Sequence, residues 1–181
     1  MTNLPMPEGM GTPDLECVML DIAPLDIHEA YGHDLNEDDF FYGDIPELKY
    51  AQGPVAEKKA HLTLLFGIHP SPTYRRSVDA VLRGWEPEDI FIDHVGFFPS
   101  TIDGQDYNCI IGHVTPLPNL LEANARLQIL DHTNRFPEYK PHVTLAYVKG
   151  SADLQTWITR MDEVFGKRTY EVTGLNYGDD D

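Results

Sequence analysis

Apolar residues along the chain fall into two kinds of pattern, which together predict strands alternating with helices. Three stretches repeat apolar residues at helical spacing: Ser77 to Trp85, Leu117 to Leu130 and Leu154 to Phe165. Six shorter apolar runs predict β-strands: Cys17–Ile22, His61–Phe66, Ile90–Phe97, Tyr107–Val114, His142–Val148 and Thr169–Leu175. Turn formers separate the third and fourth strands, which predicts a hairpin. The apolar stripe of the last helix is expected to face the core.

These elements form a single domain with two short ends. Residues 1–16 are rich in proline and glycine and predict a flexible lead-in. Residues 17–175 make up the domain, and residues 176–181 form an acidic tail that we expect to be disordered from Gly178. Residues 24–52 are acidic but carry several tyrosines and phenylalanines. A passive linker would not carry so many rings, so we interpret this segment as a loop with a little helix that folds onto the domain.

The second half of the domain partly repeats the first. From His61 to Val114, and again from His142 to Leu175, a similar strand leads through a helix to a further strand. Neither stretch is long enough to bury a stable core alone. The repeat therefore predicts an α/β (α+β) protein in which two lobes pack about a shared cleft.

Composition and charge narrow the class of protein. The 181 residues carry a formal net charge of −17, with 41% hydrophobic and 10% aromatic residues, which is too apolar for a disordered chain. Such a charge repels phosphate backbones and anionic membranes at long range. We therefore expect neither a long nucleic acid nor a membrane as partner, and only small nucleotides as ligands. Residues 1–16 lack the apolar run of a signal peptide or a membrane span, which favours the cytoplasm.

Both cysteines lie inside predicted strands. Cys17 and Cys109 are each followed by apolar residues, as is typical of small buried thiols. The sequence contains no CxxC pair, so we expect no structural zinc site of the usual spacing.

One motif occurs twice, 81 residues apart. Residues 61–67 read HLTLLFG and residues 142–148 read HVTLAYV, so each begins with a histidine, an aliphatic residue, a threonine and a leucine. A third His-x-Thr begins at His113, but Pro116 follows it and interrupts the strand pattern. We therefore take the first two copies as the pair, and His113 as a chance match or a supporting neighbour.

The spacing within each copy places an imidazole and a hydroxyl on the same face of a strand. Residues i and i+2 of a strand point to the same side, so His61 projects with Thr63 and His142 with Thr144. One neutral imidazole can take a proton from an attacking oxygen while a protonated one gives a proton to the leaving oxygen. Two hydroxyls can donate to the non-bridging oxygens of a phosphate. The set suits phosphodiester cleavage without a metal ion.

On these residues the chain resembles the two-histidine (2H) phosphoesterase superfamily, over nearly its whole length. The resemblance implies a bilobed fold with two mainly antiparallel sheets, flanked by helices around a central cleft. It also implies His61, Thr63, His142 and Thr144 as catalytic residues, with no metal and no cofactor. The run from Glu138 to Tyr147 is further similar to phage anti-CBASS nucleases, which degrade cyclic-oligonucleotide signals of the host. That similarity implies a small 3′,5′-linked cyclic di- or trinucleotide as substrate and the host cytoplasm as location.

Three residues outside the motifs are candidate substrate-binding groups. Tyr31 could stack on a nucleobase, Lys140 could offset phosphate charge, and Glu171, in the last predicted strand, could contact a base edge. Each also has an ordinary structural interpretation: a ring that packs a loop, or a solvated surface charge. The remaining polar candidates are expected to be structural or at the surface: His69, His94, His132 and the run Glu37–Asp39.

Two other functions are open to the sequence. A 2′,3′-cyclic phosphodiesterase or RNA-end-processing enzyme would use the same four residues, although the charge of −17 disfavours binding to longer RNA. A non-catalytic acidic protein that binds nucleotides or interacts with another partner would need only the charge.

Overall fold

A computed structural model of the protein describes residues 15–30, 35–133 and 138–179. Within these ranges it has an α/β architecture, as predicted, with short 3-10 helices in the long segment before the second strand. The strands are β1 (Glu16–Ile22), β2 (His61–Ile68), β3 (Ile90–Pro99), β4 (Tyr107–Val114), β5 (His142–Lys149), β6 (Arg168–Tyr170) and β7 (Val172–Asn176). The helices are α1 (Tyr74–Val81), α2 (Pro118–Leu127) and α3 (Leu154–Phe165).

The strands form a sheet with two halves. Its order is β6-β3-β4-β5-β2-β1-β7, and the paired strands are antiparallel. The halves meet where β2 lies beside β5, and in the described residues one register pair joins them, Leu62 with Val143. The antiparallel α/β fold is thus confirmed, but the two sheets that were expected are joined through a narrow seam into one.

The last predicted strand is the main correction. Thr169–Leu175 was expected to be one strand, but β6 pairs with β3 and β7 pairs with β1, at opposite edges of the sheet. The chain changes partner at Glu171, whose carbonyl accepts a hydrogen bond from the Ala23 amide. Hydrophobic alternation reports which face a residue occupies and not which strand it pairs with, so the change of partner leaves no trace in the sequence. The result is a nearly closed sheet.

The start of the acidic tail is also ordered. The Asp179 carboxylate accepts two hydrogen bonds from the Arg75 guanidinium, at 2.7 and 2.8 Å, and the Gly178 amide donates to the Asn176 side chain. The disorder expected from Gly178 is therefore not what the structure shows for these two residues.

The main core lies between the sheet and the helices. The predicted stripe of α3 is confirmed, because Trp157 and Met161 are fully buried and Phe165 nearly so. The Trp157 indole donates to the Asp39 carboxylate at 2.8 Å, and its ring packs on Phe40 with centroids 5.2 Å apart. Asp39 therefore anchors its segment to the core, although the run that contains it was expected to be a solvated loop.

The long aromatic segment forms a second, smaller core on the other face of β4 and β5. Leu48 and Ala51 are fully buried there against Ile111 and Tyr147, and the Phe41 amide donates to the Tyr147 carbonyl at 2.9 Å. The prediction that this segment folds onto the domain is confirmed. None of the described helices has the length and apolar composition needed to cross a membrane.

Candidate active site

The two His-x-Thr motifs meet at the seam between the halves of the sheet. Leu62 and Val143, the central residues of the motifs, are paired with each other and fully buried. The histidine before each and the threonine after it project to the opposite face and are half-buried. In this register His61 and His142 are diagonal neighbours, a relation that separates residues by about 7–8 Å, so both imidazoles can reach one phosphate.

The backbone irregularity that follows each motif is the same in both strands. Each motif strand carries a bulge one residue after its threonine, at Leu64 in the β1–β2 pairing and at Leu145 in the β4–β5 pairing. The bulge turns two successive residues of each strand toward the core. The Leu64 carbonyl accepts a hydrogen bond from the buried Asn124 side chain at 2.7 Å. A local two-fold pseudo-symmetry, with its axis at the Leu62–Val143 pair, therefore relates the two half-sites.

Both motif histidines are held through the same atom. His61 Nδ1 lies 3.2 Å from the Lys59 carbonyl and His142 Nδ1 lies 3.0 Å from the Lys140 carbonyl. Because a carbonyl only accepts, Nδ1 carries the hydrogen in each ring. The second nitrogen, Nε2, is thus the atom that accepts or releases a proton in either ring.

Each motif threonine is contacted by a thiol of the neighbouring strand. Cys17 Sγ lies 3.7 Å from Thr63 Oγ1, and Cys109 Sγ lies 4.0 Å from Thr144 Oγ1. The two cysteines occupy equivalent places, opposite Phe66 on β2 and opposite Tyr147 on β5. Both are buried, as predicted. A thiol that donates to a threonine oxygen leaves the hydroxyl hydrogen free for a ligand on that face of the sheet.

The two histidines differ in their nearest cross-strand neighbours. His61 is paired with Asp21, and His142 is paired with His113. Burial lowers the pKa of His142 below its ordinary value of 6.5; the hydrogen bond to the Lys140 carbonyl opposes this shift, and the nearby His61 adds to it. His142 is therefore neutral at pH 7, with Nε2 unprotonated, while His61 has a carboxylate on its flank.

Beside His142 lies a cluster of rings whose role the sequence did not reveal. His94 is paired with His113, and their rings stack with centroids 4.4 Å apart. Phe98 stands at right angles to the His142 ring, with centroids 5.1 Å apart. Gly96 makes room for this cluster, because a Cβ there would lie 2.8 Å from His113 Nε2. His113 is thus a supporting neighbour of the motif, and His94 belongs to the same cluster.

The predicted binding residues lie in different places. Lys140 is exposed and near Glu138, and it contributes its carbonyl to His142. Lys59 has the equivalent position before His61, a match visible in the sequence because a lysine stands two residues before each histidine. Glu171 is exposed between β6 and β7, and the described hydrogen bonds do not connect its side chain to the motifs. Tyr31 lies outside the described residues.

The described hydrogen bonds of the other two histidines expected to be structural go to groups outside the motifs. His69 is exposed and bonds the Thr133 hydroxyl at 2.9 Å, and His132 bonds the Leu130 carbonyl at 2.6 Å. A further group of possible metal ligands, Asp26, His28 and Glu57, has ligand atoms within 4.8 Å of one another. It contains none of the four motif residues, and we assign it no role.

The fold and the paired motifs define a two-histidine phosphoesterase. The profile of the 2′-5′ RNA ligase superfamily matches residues 41–177, so the chain belongs to that superfamily and is a phosphodiesterase. Among solved structures it is similar to Usb1 of Kluyveromyces marxianus, with 9% identity, a TM-score of 0.52, and coverage of 91% of this chain and 94% of that one. The structure of the same protein with uridine monophosphate is 10% identical, with a TM-score of 0.54, and the match covers 92% of this chain and 95% of that one. At this identity the similarity shows the fold alone. No curated protein matches the sequence.

Proposed function

We propose that this phosphodiesterase works without a metal ion and cleaves small 3′,5′-linked cyclic di- or trinucleotides. Its setting would be a phage-infected cell, where it would degrade the host's cyclic-oligonucleotide signals in the cytoplasm. One observation carries the proposal: two equivalent imidazoles meet at the seam, each fixed through Nδ1 by a backbone carbonyl and each accompanied by a threonine hydroxyl. This set supplies a base, an acid and two hydrogen-bond donors around a single phosphate.

The neighbours of the histidines suggest their roles. Neutral His142 takes the proton from the attacking oxygen at Nε2, because its pKa is lowered. As the new P–O bond forms, the bond to the leaving oxygen breaks, and His61, flanked by Asp21, gives its Nε2 proton to that oxygen. Thr63 and Thr144 donate to the non-bridging oxygens, where negative charge grows in the transition state.

A small substrate suits the charge of the protein. The net charge of −17 opposes the approach of a long polyanion, whereas a lysine, Lys59 or Lys140, stands two residues before each motif histidine. Their ammonium groups are exposed, so the attraction they exert should weaken with added salt. The similarity of residues 138–147 to phage anti-CBASS nucleases points to a cyclic oligonucleotide among small nucleotides.

The alternative is a 2′,3′-cyclic phosphodiesterase or an RNA-end-processing enzyme. The observation in its favour is the shared fold with Usb1, which has been solved with uridine monophosphate. Such an enzyme would use the same four residues but would accept RNA that ends in a 2′,3′-cyclic phosphate.

A panel of nucleotides assayed with excess EDTA tests the proposal. It should contain cyclic di- and trinucleotides, 2′,3′-cyclic mononucleotides and RNA ending in a cyclic phosphate. We expect turnover of the cyclic oligonucleotides in EDTA, and a loss of about 10²–10⁴-fold in His61→Ala and in His142→Ala. His69→Ala, at an exposed site at the end of β2, is the matched control and should stay within about twofold of wild type.

The products report the attacking group. Attack by the substrate's own 2′-OH gives a 2′,3′-cyclic phosphate before the 3′-phosphate, whereas attack by water gives no cyclic intermediate. Loss of turnover on chelation, or normal turnover by either motif variant, would contradict the proposed mechanism. Faster turnover of the RNA end than of every cyclic oligonucleotide would favour the alternative.

A further inference from the structure

We propose that Phe98, together with the stacked rings of His113 and His94, forms a binding surface for one nucleobase of the substrate, on the His142 side of the cleft. This inference rests on the proposed function, because it takes a nucleotide as the ligand. It adds a site that lies outside both motifs, on strands β3 and β4.

The first step is the position of the cluster. His94, His113 and His142 are neighbours across three strands, and Phe98 lies four residues beyond His94 on the same face of β3. The Phe98 ring stands at right angles to the rings of His113 and His142, with centroid distances of 6.4 and 5.1 Å. A ligand whose phosphate is held by His142 therefore has an aromatic surface within one nucleotide of its phosphorus.

The second step is exposure. Phe98 is 38% exposed, although burying such a ring stabilises a fold. Its neighbour Phe97 is 43% exposed but faces the other side of β3, because successive residues of a strand alternate. The fold thus leaves a large flat ring accessible beside the reacting groups, which is the kind of surface on which bases stack.

The third step is charge. Burial and the nearby His94, His142 and Lys140 all lower the pKa of His113, so its ring is neutral at pH 7. The neutral His113 ring does not attract phosphate as lysine does, but, stacked on His94, it offers a π-surface to a base. The cluster therefore suits the base of a nucleotide better than its phosphate.

The fourth step is the asymmetry of the two half-sites. The pseudo-symmetry that relates β4 to β1 relates β3 to β7, and it places Gly174 at the position of His94 and Gly178 at that of Phe98. The half-site of His61 consequently has no ring at either place. We expect one base, that of the nucleoside nearest His142, to stack on this surface. With His142 as the base of the reaction, it is the nucleoside that supplies the attacking oxygen.

Binding measurements separate this inference from catalysis. The probes are AMP, GMP, CMP and UMP, with ribose 5-phosphate as the ligand that lacks a base, titrated calorimetrically into wild type, Phe98→Ala and Phe97→Ala. One base–aromatic stack is worth about 1–3 kcal/mol, or roughly 5- to 150-fold in affinity. We expect Phe98→Ala to lose about tenfold or more for the preferred nucleotide and to bind ribose 5-phosphate as wild type does. Phe97→Ala should match wild type for every ligand.

Two further variants identify the interaction. Phe98→Tyr keeps a flat ring and should retain affinity, whereas Phe98→Leu keeps apolar volume and should lose most of what Phe98→Ala loses. Three results would each overturn the inference. The Phe97 and Phe98 variants could lose equal affinity, or Phe98→Ala could lose as much affinity for ribose 5-phosphate as for nucleotides. Wild type could also bind nucleotides no more tightly than ribose 5-phosphate. Nucleotide binding that depends on Phe98 without turnover of any cyclic oligonucleotide would instead contradict only the proposed function.

Discussion

Removing the Cys109 thiol should lower the rate of phosphodiester cleavage, although the thiol contacts no substrate. Its Sγ lies 4.0 Å from Thr144 Oγ1. Burial raises the pKa of Cys109 to about 11, so the group is a thiol at neutral pH and has a hydrogen to donate. When the thiol occupies a lone pair of the Thr144 oxygen, the hydroxyl hydrogen is directed to the phosphate. Cys109→Ala releases this constraint.

The expected size of the effect follows from the geometry. A thiol is a weak donor and the contact is long, so we place it at the low end of net hydrogen-bond contributions, about 0.5–1 kcal/mol. If that energy is lost in the transition state alone, kcat falls by about two- to fivefold. Removing the Thr144 hydroxyl itself with Thr144→Val should cost about 10²–10³-fold. Cys17→Ala should cost at least as much as Cys109→Ala, because its sulfur lies closer to Thr63, at 3.7 Å.

A double-mutant cycle separates positioning from general damage. If Cys109 acts through the threonine, Cys109→Ala should leave kcat unchanged in a Thr144→Val background, because no hydroxyl is left to orient. Cys109→Ser retains a donor and should recover most of the wild-type rate. The reasoning is refuted if Cys109→Ala lowers kcat by the same factor in both backgrounds, since that result would indicate a cavity that disturbs the strand.

Three further predictions follow from individual contacts. The acidic limb of the kcat/KM–pH profile should lie below pH 6.5, because the pKa of His142 is lowered. His113→Asp places a carboxylate beside His142, so it should move that limb to higher pH by about one unit. A limb that stays in place would contradict the pairing of His113 with His142. Gly96→Ala places a Cβ 2.8 Å from His113 Nε2, so it should weaken nucleotide binding several-fold while ribose 5-phosphate binds as before. Asn124→Leu leaves the Leu64 carbonyl without the side chain that donates to it at 2.7 Å. This change should lower the free energy of unfolding, measured in urea, by about 1–3 kcal/mol. An unchanged midpoint of urea unfolding would show that Asn124 does not stabilise the bulge in this way.

Much of the candidate site was visible in the sequence because the order of residues within each motif is local. The spacing of His61 and Thr63 fixes their common face, and repetition at His142 and Thr144 predicts a matching partner. Partner choice between strands is not local, however. The switch of the chain at Glu171 from β3 to β1 could not be deduced from alternation, which is the same on either side of it.

The ring cluster was missed for a related reason. His94 and Phe98 are distant in sequence from both motifs, and nothing in their spacing marks them as a unit. They reach His142 through the register of β3 on β4, and that register contains an irregularity between Ile92 and His94. A shift by one residue would send both side chains to the other face of the sheet. The contact of Cys109 with Thr144 likewise depends on the bulge at Leu145.

The pseudo-symmetry of the site explains why the motifs alone do not assign chemical roles. Two identical half-sites would have two imidazoles of equal pKa. Either ring could then hold the proton, and neither would be fixed as the base or as the acid. The two half-sites differ, however, in their flanking strands. β1 places the Asp21 carboxylate beside His61, while β4 places a second imidazole, His113, beside His142. Burial and the nearby His61 lower the pKa of His142, so the surroundings of the half-site, and not the motif itself, favour His142 as the base in the proposed reaction.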